Sequence, residues 1–115
     1  MKQQERQERS RREIFQAAME EFGAHGYDKV SMENLCTRHG ISKGMMYHYY
    51  SNKDELFLLS VQDVFQNLKA RIEQEIVQLE QQSPLAAIRE FFLLRERYFQ
   101  QNPEHERIFE TALLH

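Results

Sequence analysis

The stretch GISKGMMYHYYSNKDEL, from Gly40 to Leu56, decides the fold. Gly40 stops one helix and Ile41 is an apolar plug. Ser42 then stands where a hydroxyl can cap the next helix, which the pattern predicts to run to about Tyr49. Only about three residues, one of them glycine, separate the two predicted helices, and that is helix-turn-helix spacing. Asn52 is the following cap and Glu55 completes a capping box, so another helix begins at Lys53.

Upstream, Ile14, Phe15, Ala18, Met19 and Phe22 form an amphipathic stripe that predicts a helix from about Glu8 to His25. Gly26 stops it, and Tyr27 returns an aromatic to the core. Ser31 caps a short second helix, with Glu33 in its first turn and Leu35 and Cys36 facing inward. Downstream, Leu56, Phe57, Val61, Val64, Phe65, Leu68, Ile72, Ile76 and Leu79 keep a helical period to about Gln81. Ser83-Pro84 opens a fifth helix, with Leu85, Ile88, Phe91, Phe92, Leu94 and Phe99 as its apolar residues. Asn102-Pro103-Glu104 opens a sixth in the same way, carrying Ile108, Phe109, Ala112 and Leu113. The chain stops in an apolar stretch without a breaker, so a truncated or incompletely represented helical domain is expected.

Composition agrees with an all-helical reading: 115 residues hold only 4 Gly and 2 Pro, with 41% hydrophobic and 29% charged. No apolar run approaches the roughly 20 residues of a membrane span, and the polar N-terminus has no signal-peptide core. A single cysteine excludes an internal disulfide, and a cytoplasmic location is expected. The net charge of −3 argues against nucleic acid, but its distribution argues the other way. Met1–Lys53 is net +2, nine Lys/Arg against seven Asp/Glu, and Asp54–His115 is net −5, six against eleven.

The predicted third helix has the chemistry of a groove reader. Such a helix enters the major groove with its N-terminal residues foremost. Ser42 can cap it and donate to a phosphate, and Lys43 adds charge. Gly44 lets the backbone come close, and the Tyr47 and Tyr49 hydroxyls reach out without flexible stems. Helical spacing cannot bury all of Met46, Tyr47, Tyr49 and Tyr50. Met46 and Tyr50 are expected in the core, and Tyr47 and Tyr49 on DNA. Lys53 sits beside a helix N-terminus, where a positive side chain and free amides both suit an anion.

RREIFQAAMEEFGAHGYDKVSMENLCTRHGISKGMMYHYYSNKDEL, from Arg11 to Leu56, resembles the DNA-binding domain of TetR-family regulators. The matching points are Ile14, Ala17-Ala18, Phe22, Gly26-Tyr27, Ser31, Leu35, Gly40-Ile41-Ser42, Gly44, Tyr47, Tyr50, Lys53 and Leu56. The resemblance implies an all-α protein. Residues 1–52 would be a three-helix, homeodomain-like helix-turn-helix domain. Residues 53–115 would supply a long connecting helix and part of a ligand-binding and dimerisation domain. It implies a ligand-responsive repressor that binds a palindromic operator in double-stranded DNA as a homodimer, with a small-molecule effector. It places Ser31, Ser42, Lys43, Gly44, Tyr47, Tyr49 and Lys53 on DNA, and Met45 and His48 at base-reading or groove-wall positions. His39 departs from the small residue usual there, so its imidazole must point out or repack the second helix. Cys36 replaces another usual alanine. Tyr50 replaces a phenylalanine, and its hydroxyl needs a partner at the core edge. Met45 replaces a small polar residue and favours an apolar contact such as a thymine methyl.

Other readings are weaker. The five histidines lack ligand-type spacing, so no metal or cofactor is expected. Cys36 should be buried and inert. Arg6, Arg9, Arg11 and Arg12 suit a solvated face and a phosphate-seeking arm equally. Phe91, Phe92, Tyr98 and Phe99 suit core packing better than a pocket. No nucleophile–base pair suggests an enzyme. The competing function is a helical protein-interaction module that keeps the helix-turn-helix as scaffold.

Overall fold

Six helices follow one another in a computed structural model that describes residues 2–114, with the backbone alone described for 76–80. They are α1 (Gln3–His25), α2 (Met32–His39), α3 (Lys43–Tyr49), α4 (Lys53–Glu80), α5 (Pro84–Gln101) and α6 (Pro103–Leu114). No strand occurs among the described residues, so the fold is all-α. The expected apolar positions Ile76 and Leu79 lie outside the described side chains.

The caps explain the boundaries. The Ser31, Ser42 and Ser83 hydroxyls accept hydrogen bonds from the amides of Asn34, Met45 and Ala86 at 3.0, 3.1 and 3.3 Å. Asn52 Oδ1 accepts from the Glu55 amide at 2.9 Å, and the Glu55 carboxylate reaches back one residue further than a capping box requires, to the Ser51 amide at 2.7 Å. Gly40 ends α2 in the left-handed conformation, φ 65°, which lets the Ile41 amide bond back to the Cys36 carbonyl.

One apolar cluster joins the helices. Ile14, Ala18 and Phe22 of α1 meet Val30 and Leu35, then Met46 and Tyr50, then Leu56, Phe57, Val64 and Leu68 of α4. The same cluster continues into Tyr98, Phe99 and Ile108 of α5 and α6. It crosses the Asn52–Lys53 junction without a break. Ser60, fully buried among these residues, satisfies its hydroxyl on the Leu56 carbonyl at 2.9 Å.

Three local expectations need correction. α1 starts five residues before Glu8. The apolar stripe begins at Ile14 and is blind to the polar turns ahead of it. Strong helix formers and the pairs Arg11–Glu8 (3.0 Å) and Arg9–Glu13 (3.2 Å) extend the helix through solvent. The four arginines therefore stand on a helix, not an extended arm. Asn102 does not cap α6 with its side chain. It donates to the Tyr98 carbonyl at 2.9 Å and so closes α5 instead. On α5, Leu94, Tyr98 and Phe99 are buried, but Leu85, Ile88, Phe91 and Phe92 are exposed, as is Leu113 on α6. Periodicity identifies an apolar face and cannot say whether a neighbour covers it.

Candidate nucleic-acid interface

α3 has a buried back and an open front. Met46 is fully buried and Tyr50, just past the helix, is 5% exposed, so these two side chains fix the helix to the core. The Tyr50 hydroxyl donates to the Arg11 carbonyl at 3.2 Å, the edge partner its polarity requires. Burial pushes the Tyr50 hydroxyl above its ordinary titration range and keeps it a neutral donor. Ser42, Lys43, Gly44, Met45, Tyr47 and His48 all face solvent. Met45 is 43% exposed and Tyr47 54%, far more than large apolar groups show in a core. The first turn of α3 carries no acidic residue that would repel a phosphate. A methyl group added at Gly44 would meet nothing within 4 Å, so packing among the described residues does not require glycine there.

The other expected positions are less free. Tyr49 is half-buried, its ring edge-on to His48 at 4.7 Å and tilted against Tyr50 at 6.5 Å. Ser31 is half-buried and occupied with its capping bond. Lys53 is half-buried as well, and its ammonium is held: Nζ donates to the Tyr27 carbonyl at 3.0 Å and lies 3.9 Å above the centre of the Tyr27 ring. The Tyr27 hydroxyl donates to the Asp54 carboxylate, and that bond raises the phenol above its ordinary range. The α1 spur adds a residue that motif reading left among several. Arg12 lines one open groove with Gln16, Ser42 and Met45, beside the start of α3.

α2 is held to α1 by charge. Glu21 takes His39 Nε2 at 3.0 Å, Arg38 Nη1 at 3.0 Å and His25 Nε2 at 3.7 Å, with Glu20 3.9 Å from the other ring nitrogen of His39. His39 thus packs between the helices as an anchor and does not point freely outward. Burial pushes the Glu21 carboxyl up, but the His39 hydrogen bond and the Arg38 charge outweigh it. The group sits below its ordinary value of 4.5. A depressed carboxylate contributes stability above its ordinary value and loses it as pH falls through the lower folded value. The thermal midpoint should therefore drop on acidification below about pH 4.5, and E21Q, less stable near neutrality, should show a shallower acid slope. Thermal melts across that range check this, and parallel slopes in the two proteins would remove Glu21 from the account.

A three-helix unit with its third helix anchored behind and open in front defines a helix-turn-helix domain. Residues 14–59 match the family described as bacterial regulatory proteins, tetR family. Along 111 residues it is 26% identical to the HTH-type transcriptional repressor NicS of Pseudomonas putida, covering 94% of this chain and 50% of NicS. The HTH-type transcriptional activator FasR of Mycolicibacterium smegmatis is 34% identical over 66 residues, 57% of this chain and 30% of FasR. The HTH-type transcriptional repressor AcnR of Corynebacterium jeikeium is 41% identical over 46 residues, 40% of this chain and 24% of AcnR. These relatives are transcriptional regulators, not enzymes. The chain spans at most about half the length of those it matches. Among the described residues no helix is long and apolar enough to cross a membrane.

Proposed function

We propose that this chain is the operator-docking part of a DNA-binding transcriptional regulator, with residues 1–52 as the docking unit and 53–115 as the beginning of a helical regulatory part. The observation that carries it is the division of α3 between a buried Met46 and the exposed row Lys43, Gly44, Met45, Tyr47 and His48. Buried anchors make the helix rigid, and the exposed side chains are a cation, a thioether, a phenol and an imidazole. Ser42, Lys43, Tyr47, Tyr49, Ser31 and Lys53, with Arg12 from the spur, serve phosphates. Gly44 admits the backbone, and Met45 and His48 meet base edges. NicS and AcnR are named as repressors, which favours repression here, exercised in the cytoplasm as a homodimer on a palindromic operator and relieved by a small effector. The effector would act through α4, because a small change in the separation of two recognition helices spoils docking in successive major grooves about 34 Å apart.

Titration of the chain into a mixed-sequence duplex at several salt concentrations tests the docking reading. Affinity should fall steeply with salt, and K43Q should reduce the slope of log affinity against log salt by about 0.9, the share of one phosphate contact. Binding that is absent at low salt, or unaffected by salt, would sink the proposal. The exposed row Leu85, Ile88 and Phe92 on α5 favours a second reading, a protein-interaction module. That reading requires function to survive loss of Lys43 and Tyr47 and to fail when the α5 row is made polar.

A further inference from the structure

Lys53 is the one expected DNA contact whose charged group is already gripped within the chain. Its ammonium carries three donors on a flexible four-carbon stem. At the first position of α4 it also stands at the positive end of that helix, an unfavourable place for a cation. Tyr27, from the turn after α1, offsets both costs. Its carbonyl takes one donor at 3.0 Å, and its ring face lies 3.9 Å below the nitrogen. The ring cannot drift, because it stacks on Phe22 at 6.4 Å and meets Phe57 edge-on at 5.0 Å, while its hydroxyl is bound to Asp54.

We propose that Tyr27 is a positioning residue for DNA docking: its carbonyl and ring hold the Lys53 ammonium at the start of α4 with a donor left for a backbone phosphate. This rests on the docking reading above. The bond geometry allows it, since a carbonyl and a ring face occupy at most two of the three donors. Lysine then reaches the phosphate without leaving its seat, and less side-chain freedom is lost on binding.

The test uses the full chain and a mixed-sequence duplex. K53Q should weaken binding and lower the salt slope by about 0.9. Y27L, which removes the ring but keeps the carbonyl, should weaken binding by about three- to tenfold. Y27F, which keeps the ring, should recover most of that loss. In a K53Q background Y27L should cost nothing further. An equal cost in both backgrounds would make Tyr27 merely structural and overturn the assignment, as would Y27L binding like the native chain. A second measurement needs no variant. The Lys53 ε-methylene protons should resonate upfield under the Tyr27 ring and stay there when duplex is added. Their return to an ordinary shift on binding would show that lysine leaves the ring, and the assignment falls. If the native chain binds no duplex at low salt, the docking reading itself has failed. If it binds but the ring shift is lost, only the role of Tyr27 has.

Discussion

Replacing Phe22 by alanine should cost about 3–5 kcal/mol, read as a lower denaturation midpoint at unchanged slope. Phe22 has no exposed surface, stacks with Tyr27 and meets Phe57 edge-on at 5.1 Å, so its removal empties the junction of α1, the following turn and α4. Surrounding helices cannot close the gap cheaply, because Leu35, Met46 and Leu56 in the same cluster are themselves fully buried and held by their own helices. Against a total stability of about 5–15 kcal/mol for a small domain, that loss is a large fraction. A midpoint shift worth less than about 1 kcal/mol would mean that the cluster is looser than its burial implies.

The second large effect concerns one residue further along α1. In an exposed helix, glycine to alanine is stabilising by about 1 kcal/mol. At Gly23 the sign should reverse. A Cβ there would lie 2.4 Å from Cβ of Glu104 and 2.9 Å from its Cα, and a backbone atom of α6 cannot swing aside as a side-chain tip can. α6 must move bodily, at a cost of about 1–3 kcal/mol that exceeds the propensity gain. G23A should melt below the native chain. A rise in midpoint would show that α6 does not approach α1 this closely in solution.

The parts of the fold that sequence makes visible are those controlled by neighbours in the chain. Ser31, Ser42, Ser83 and Asn52 announce their helices because a cap acts within three residues. The split of α3 is visible because period and polarity disagree: Met46, Tyr47, Tyr49 and Tyr50 crowd one short helix and its cap, and of these only Met46 and Tyr50 are buried. What stays hidden depends on partners distant in sequence. Nothing local tells that His39 meets Glu21, that Lys53 rests on Tyr27, or that Arg12 lines the same groove as Met45. Phe91 and Phe92 expose the limit of pattern reading most plainly. Their spacing is that of a core, yet Phe91 is 37% exposed and Phe92 59%.

The unbroken core across Asn52–Lys53 has a practical consequence for anyone building chimeric regulators. A graft cut at that junction would carry α3 intact yet leave Leu56 and Phe57 behind, stripping the floor from beneath Phe22 and Tyr27. The transplantable cassette is longer than the helix it presents, and it has to include the opening turns of α4.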